Sequence, residues 1–287
     1  MYGTVSFQRE VILDFVSLSR QDRAFFAHNG YLVVPGLLST EVVTRLIEVG
    51  DRFMETAGPV HNFYANRHID LFYDDALFVL ATQSPAVSLA MQLLSPDIHL
   101  TPANLIYKYP QPVSHEPVYP DGDGRSFRNW HRDLNNFAPN HPIRGTVCLR
   151  VGYCLTDFSR ANSGVTLLVP GSHELTRPLA FARGKLDPPD FVELSLKAGD
   201  AYLFSTSLYH TPAVNFTDRT AKGLLVSYAY RFWAHKHPSP GEEMSARLDD
   251  QAAQLFGAEF EDGRVPLREW AREQGLQVED SPMRVFV

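Results

Sequence analysis

Cysteine is scarce in this chain: only Cys148 and Cys154 occur among its 287 residues. The two lie an even number of residues apart on an apolar segment, so on a strand they would share one face. At that separation their side chains are too far apart to form a disulfide. We therefore interpret both cysteines as reduced packing residues.

Clusters of positive charge and long apolar runs are also missing. The formal net charge is −7, and no run of Lys or Arg supplies the attraction to phosphate that dominates nucleic-acid affinity. Apolar residues near the N-terminus are interrupted by Arg9, Glu10 and Asp14, and no apolar run approaches the roughly 18 residues of a membrane span. We expect a cytoplasmic protein that binds a small molecule and neither nucleic acid nor membrane. The sequence leaves open whether it forms a homodimer.

The composition is otherwise globular, with 44% hydrophobic and 21% charged residues, and it predicts a sizeable core. Segments 20–30, 37–58 and 84–96 carry helical periodicity or helix caps, with Ser39 and Ser84 as caps, and 30–36 is typical of a short strand.

From about residue 98 the chain changes to short apolar runs separated by turn residues. This pattern predicts an all-β sandwich or barrel, of which a jelly roll is one arrangement. The segment from about residue 241 is helical again in its pattern. We expect a mainly β single domain with flanking helices over 1–287, made of a helical part at about 1–97, a β core at about 98–235 and a helical extension at about 236–287.

The tetrapeptide 131–134, HRDL, is also the opening of a protein-kinase catalytic loop. That loop needs an Asn four residues after the Leu, where this chain has Ala138. The nearest match to the DFG motif is TDFS, with Ser159 in place of the Gly, and the glycine cluster at 121–126 lies just before HRD instead of near the domain start. The kinase reading therefore fails.

A His-x-Asp pair is the alternative meaning of the same residues. If Trp130–Leu134 is a strand, His131 and Asp133 project to one face while Arg132 points away. Two imidazoles and one carboxylate on one face suit a non-haem Fe(II) centre, which keeps open positions for substrates. Taken alone, such a pair is more often solvated or locally hydrogen-bonded.

His210, which follows a later β run, is the candidate for the second imidazole. Arg219 comes nine residues after it, and a guanidinium fork beside a metal could bind a carboxylate through two hydrogen bonds. The coexistence of the His-x-Asp pair, a third ligand and an anion-binding cation makes coincidence a weaker explanation.

Together these segments resemble the phytanoyl-CoA dioxygenase-like family of Fe(II)/2-oxoglutarate oxygenases. The resemblance covers roughly residues 20–235. It is carried by HNGYLVVPGLLS at 28–39, WHRD at 130–133, ANSGVTLLVPGSH at 161–173, KAGDAYLFSTSLYH at 197–210 and NFTDRT at 215–220.

The resemblance implies a double-stranded β-helix, a jelly-roll barrel with iron in its mouth. By position it implies that His131, Asp133 and His210 are the catalytic iron ligands and that Arg219 holds the distal carboxylate of 2-oxoglutarate. Lys108 and Tyr153 resemble positions that line the cosubstrate pocket. The implied reaction uses O₂ to oxidise a C–H bond and releases succinate and CO₂, and the presence of Asp133 favours hydroxylation or another oxidation over halogenation.

Substrate identity is the least determined feature. We interpret segment 61–75 as a binding loop suited to a small molecule with rings, hydroxyls or a carboxylate, such as a metabolite or natural-product intermediate. Two alternatives stay open: a non-catalytic metal-binding jelly roll, and a metalloenzyme that does not use 2-oxoglutarate. The candidate substrate residues are Tyr64, Arg67, His68, Phe72, Asn135 and Phe137.

Overall fold

The structure is a computed structural model and describes residues 16–57, 63–83, 85–112, 129–134, 146–183, 185–233, 240 and 242–276. The helices are α1 (Arg20–Asn29), α2 (Thr40–Thr56), α3 (Asp75–Thr82), α4 (Ala86–Leu93), α5 (Glu242–Ser245), α6 (Asp250–Leu255) and α7 (Pro266–Glu273). The strands are β1 (Tyr31–Val34), β2 (Tyr64–Ile69), β3 (Ile98–Lys108), β4 (Cys148–Cys154), β5 (Thr166–Leu168), β6 (Val192–Glu193), β7 (Ala201–Ser205), β8 (His210–Pro212) and β9 (Ala221–Tyr230).

Two antiparallel sheets carry the fold. The large sheet has six strands in the order β1-β7-β4-β9-β3-β2, and the small sheet has three in the order β6-β5-β8. The mainly β architecture with flanking helices is as expected from the sequence. The sheets do not close into a barrel within the described residues.

Strand β9 shows how the large sheet divides its two faces. Leu224, Val226 and Tyr228 belong to the core shared with the helices, whereas Ala221 belongs to a second cluster between the sheets, and Leu225 packs against it. Because side chains alternate along a strand, the large sheet has a helix face and an inner face turned toward the small sheet. The inner face is the one that can carry a site.

The helical part follows its local signals. Gly30 ends α1 in the left-handed conformation at φ 76°, and the Ser39 side chain accepts a hydrogen bond from the Val42 amide at the start of α2. Both boundaries were expected from the sequence, since glycine tolerates that conformation and serine caps helices well. The proposed cap Ser84 lies outside the described residues.

The segment Asp75–Leu93, which contains α3 and α4, is long and apolar enough to cross a membrane by composition, with mean hydropathy 1.4. However, 76% of it is buried inside the protein. It packs against the helix face of the large sheet, as the core helices of a globular protein do.

The C-terminal helices are attached through a buried glutamine, Gln254. Its side-chain amide donates to the carbonyls of Pro96 and Ile98 at 2.9 and 3.1 Å, and its side-chain oxygen accepts from the Leu267 amide at 3.0 Å. With 0% exposure, this side chain connects α6 and α7 to the start of β3.

Two local predictions differ from the structure. Segment 61–75 is not a loop: it contains the edge strand β2, paired with β3 from Tyr64–Lys108 to Ile69–Ala103. Its inner-facing residues are polar, so it lacks the apolar pattern that marks a strand. Trp130–Leu134 is not a full strand either, because His131 forms only an isolated bridge with His210.

Candidate metal centre

Backbone hydrogen bonds bring the three proposed ligands together. The His131 amide donates to the His210 carbonyl at 3.0 Å, and the His210 amide donates back to the His131 carbonyl at 2.9 Å. Two residues later, the Asp133 amide donates to the Thr206 carbonyl at 3.0 Å. The backbone of residues 206–210, between β7 and the start of β8, therefore fixes the positions of His131 and Asp133.

The three side chains converge on one point. His131 Nε2 lies 3.6 Å from Asp133 Oδ1, and His210 Nε2 lies 3.7 Å from Asp133 Oδ2. One ligand atom from each residue falls within 4.8 Å of the others. These separations fit three ligands on one face of a metal ion that keeps other positions open.

The backbone also selects the tautomer of each histidine. Nδ1 of His131 lies 2.6 Å from the Asn129 carbonyl, and Nδ1 of His210 lies 3.0 Å from the Leu208 carbonyl. Because a carbonyl only accepts, both Nδ1 atoms carry the proton and donate it. Nε2 of each ring, the nitrogen nearer Asp133, is therefore the atom that can bind a metal ion, the arrangement that metal-binding histidines use.

Electrostatics keep the site ready for a cation. Burial lowers the pKa of His210 to about 4, against the raising effect of the Asp133 charge, so the ring is neutral at neutral pH. Burial would raise the pKa of Asp133, but the hydrogen bond with His131 and the charge of Arg150 hold it well below its usual value. The donor set of two imidazoles and an ionised carboxylate fits iron, as expected from the sequence.

Arg132 points away from the ligands, as predicted. Its guanidinium donates to the Ser172 carbonyl, and to the Leu175 carbonyl at 2.9 Å, and its charge lies 4.3 Å from the centroid of the Tyr209 ring. It thereby ties the ligand segment to the turn after β5 without entering the metal site.

A narrow cavity of about 20 Å³ lies on the inner face, lined by Lys108, Gly164, Thr166, Tyr202 and Ala221 among others. Lys108 is only 4% exposed, and its ammonium donates to the carbonyls of Gly164 and, at 3.5 Å, Val165. The Thr166 and Tyr202 hydroxyls share a hydrogen bond of 2.8 Å. This volume is close to that of one water, so a diacid could enter only if Lys108 releases Gly164.

Gly152 on β4 makes room for Tyr202 in this cavity. A Cβ at position 152 would lie 2.5 Å from two carbons of the Tyr202 ring, closer than real atoms approach. We expect Gly152→Ala to displace Tyr202, to break its hydrogen bond with Thr166 and to cost about 1–3 kcal/mol of unfolding free energy.

Urea denaturation would measure that loss for Gly152→Ala, with Gly223→Ala as the matched control. A Cβ at Gly223 on the neighbouring strand would meet only ordinary contacts, the nearest being the Tyr153 carbonyl at 3.5 Å. Equal stability of both variants and the parent would show that Tyr202 does not need Gly152.

The structure does not bring Arg219 into the cavity. The Arg219 side chain is 59% exposed and lies 3.7 Å from Asp157, itself 38% exposed. The Asn215 side chain donates to the Arg219 and Lys108 carbonyls at 2.8 Å each, which fixes Arg219 in the turn before β9 begins. The role of Arg219 at the cosubstrate stays a prediction, and Lys108 is the cation among the described residues that line the cavity.

Tyr153 is among the residues that line the cavity, as expected for its position, but its phenol ring lies on the other side of the strand. Its side chain is 1% exposed and belongs to the core on the helix face, and burial raises the pKa of its hydroxyl. Cys154, the next residue, belongs to the cluster between the sheets. Because neighbours on a strand face opposite sides, the phenol of Tyr153 is directed away from the metal centre.

The substrate candidates fall into three groups. Tyr64 and His68 lie on the inner face together with Asn66. The side-chain amide of Asn104 donates to the Asn66 side-chain oxygen at 2.7 Å and lies 3.3 Å from His68 Nδ1. Arg67 alternates with them and so lies on the helix face of the same strand.

Phe72 is a core residue, since its ring stacks on Phe256 at 4.6 Å between centroids and on Phe78 at 5.7 Å. Asn135 and Phe137 lie outside the described residues. Of the four described candidates, the structure thus places Tyr64 and His68 on the inner face, which is turned toward the small sheet with His210.

Arg150, on the inner face of β4, is a residue that sequence reasoning missed. Its Nε lies 2.7 Å from Asp133 Oδ2. A lone charge inside the apolar run VCLRVGYC was the available signal, since charged residues are rarely buried without a partner. Cys148 and Cys154 on the same strand are both free and buried, as expected.

A mainly β fold with two histidines and one carboxylate that meet between its sheets defines the class of proteins that contains the non-haem Fe(II) oxygenases. The model of the phytanoyl-CoA dioxygenase (PhyH) family matches residues 26–223, more than half of the sequence, and the chain belongs to this family. The family resemblance of the sequence is thereby confirmed.

A curated relative, dioxygenase trt7 of Aspergillus terreus (strain NIH 2624 / FGSC A1156), is 33% identical over 110 residues. The match covers 36% of this chain and 36% of that protein, so it spans about a third of the relative's length.

Solved structures share the fold at low identity. HygX from Streptomyces hygroscopicus, with nickel and 2-oxoglutarate bound, has TM-score 0.59 and 18% identity over 76% of this chain and 90% of its own. The α-ketoglutarate-dependent epimerase SnoN from nogalamycin biosynthesis has TM-score 0.56 and 21% identity over 73% and 79%. The carbocyclase SnoK from the same biosynthesis has TM-score 0.55 and 19% identity over 81% and 91%.

Proposed function

We propose that this protein is an Fe(II)/2-oxoglutarate-dependent dioxygenase that hydroxylates a small-molecule metabolite or natural-product intermediate and releases succinate and CO₂. The observation that carries the proposal is the His131–Asp133–His210 site, which lies between the two sheets, together with the cavity there that contains a buried lysine. Membership of the phytanoyl-CoA dioxygenase family supports it.

Each group of the chain has a defined part in this proposal. His131, Asp133 and His210 would hold Fe(II), and Lys108 would hold the distal carboxylate of 2-oxoglutarate in exchange for its carbonyl contacts. When bound, iron and the 2-oxo acid supply the oxygen activation, which is cofactor chemistry; the protein supplies orientation and exclusion of water. The surrounding rings of Tyr64, Tyr202 and Phe204 provide that exclusion.

A natural-product substrate is supported by the biosynthetic neighbours, which include an epimerase and a carbocyclase. Hydroxylation is the outcome we propose because the site keeps its carboxylate and an open face. A mass increase of 16 in a candidate metabolite would support it, whereas a loss of 2 would indicate desaturation or ring formation instead.

The test is release of succinate by the purified protein with Fe(II), 2-oxoglutarate and O₂, each omitted in turn. Succinate that depends on all three supports the proposal. Metal binding without succinate would favour a non-catalytic jelly roll, and turnover of a metabolite without 2-oxoglutarate would favour a different metalloenzyme.

Asp133→Gly is expected to stop turnover, because it removes the carboxylate and negative charge of the site. Succinate release measures the effect, and Asp262→Ala, which changes an exposed acid of the C-terminal part, is the control. Turnover at the parent rate in Asp133→Gly would exclude Asp133 as a ligand.

A further inference from the structure

Arg150 is a partly buried cation in contact with the metal site that the proposed function does not yet use. On β4 it pairs across the sheet with Phe204 of β7 and Ser227 of β9, and its side chain is 22% exposed. Leu149 and Val151 belong to the core on the helix face, so Arg150 projects from the inner face. It lies there beside Asp133.

The contact with Asp133 does not satisfy all the hydrogen-bond donors of the Arg150 guanidinium. Its buried Nε is 2.7 Å from Asp133 Oδ2. However, the N–H group does not have the angle of a hydrogen bond to that oxygen, and it makes no hydrogen bond to any other described residue. A guanidinium has five N–H donors in a fixed fork, so a single ion pair leaves donors for a further acceptor. A carboxylate is the group that this fork matches in shape and charge.

Ser227 adds a second donor at the same place. It is directly opposite Arg150 in the strand register, and opposite residues have Cβ atoms about 4.5–5.5 Å apart. The residue is 2% exposed, and its hydroxyl makes no hydrogen bond within the described part of the chain. Because a buried hydroxyl without a partner is costly, this one is better explained by an acceptor that binds there.

Lys108, the cation of the proposed distal site, lies beside Tyr64 on the same inner face. The Lys108 ammonium lies 5.9 Å from the centroid of the Tyr64 ring. Burial raises the pKa of the Tyr64 hydroxyl, and the nearby charge of Arg150 opposes that rise. Arg150 thus lies at the metal ligands, and Lys108 lies on the same inner face at the end of β3.

We propose that Arg150, with the hydroxyl of Ser227, binds the carboxylate adjacent to the keto group of the 2-oxo acid, while Lys108 takes the distal carboxylate. This assignment rests on the proposed function. It makes Arg150 a specificity residue, since it favours acids whose keto group lies next to a carboxylate.

The test is anaerobic titration of the Fe(II) protein with 2-oxoglutarate and, separately, with 2-oxobutyrate, followed by the metal-to-ligand charge-transfer band. 2-Oxobutyrate keeps the keto acid end and lacks the distal carboxylate. We expect Arg150→Gln to weaken the binding of both acids by roughly ten- to a hundredfold, as for loss of a charge-assisted hydrogen bond. Ser227→Ala is expected to weaken both by a smaller factor, and Lys108→Gln only 2-oxoglutarate.

Co(II) affinity, measured in each variant without any acid, separates this role from mere support of Asp133. Arg160→Gln, which removes an exposed arginine from the turn after β4, is the charge-matched control and should bind both acids as the parent does. Unchanged binding of both acids by Arg150→Gln would overturn the proposal, and so would a loss fully explained by weaker Co(II) binding. If the parent itself gives no band with either acid, the proposed function fails, a result distinct from a loss confined to Arg150→Gln.

Discussion

His210→Ala is expected to abolish Fe(II) binding and succinate release while the protein remains folded. The Nε2 atom of His210 faces Asp133 with its lone pair free, because Nδ1 donates to the Leu208 carbonyl. Alanine has no ligand atom, and two remaining ligands hold a metal far less well than three. The ring contacts Phe204 at 5.0 Å between centroids, so its loss should cost only about 1–3 kcal/mol of stability.

Co(II) titration by visible absorption measures metal binding by His210→Ala, and circular dichroism monitors the fold. His131→Ala should behave in the same way with a smaller stability cost, since His131 is 32% exposed. His28→Ala, which removes an exposed histidine from α1, is the control. Full turnover in either ligand variant would disprove the assignment of that residue.

Lys108→Gln is expected to weaken 2-oxoglutarate binding by roughly ten- to a hundredfold, the loss that follows when a charge-assisted hydrogen bond to a carboxylate disappears. Arg219→Gln should change the affinity less than about twofold, because exposed ion pairs such as Arg219–Asp157 contribute little. Iron affinity should stay near the parent value in both variants.

The charge-transfer band of the anaerobic Fe(II) protein gives both affinities in one titration series. The reverse result, a large loss in Arg219→Gln and none in Lys108→Gln, would restore the sequence-based assignment of Arg219. It would also mean that the turn after β8 rearranges when the cosubstrate binds.

The metal ligands could be predicted from the sequence because their chemistry and spacing coincide. His-x-Asp places two ligands on one side of an extended segment even though that segment makes only one bridge. The position of Arg219 could not be predicted in the same way, because it depends on where the turn between β8 and β9 ends. Asn215 decides that point: it accepts hydrogen bonds from the Thr217 amide and hydroxyl and keeps Arg219 outside β9.

The face on which Tyr153 lies was equally hidden from sequence reasoning. In β4 nearly every side chain is apolar, since both faces of the strand are buried, and alternation then gives no sign of which face is which. Strand β2 has the opposite difficulty. Its inner face carries Tyr64 with the exposed Asn66 and His68, and Arg67 interrupts its buried face between Ala65 and Ile69, so the strand resembles a loop in composition.

Through Gln254 the C-terminal helices stabilise the large sheet, although they are far along the chain from the metal ligands. A protein shortened before α6 would lose the amide that satisfies the Pro96 and Ile98 carbonyls. Phe72 and Phe78 would lose the stacked ring of Phe256. Both losses fall on the opening residues of β3 and the helices beside it, and β3 ends at Lys108. The C-terminal helices therefore stabilise the start of the strand that ends at the cosubstrate lysine. Removing them would destabilise that strand although they do not contact the metal ligands.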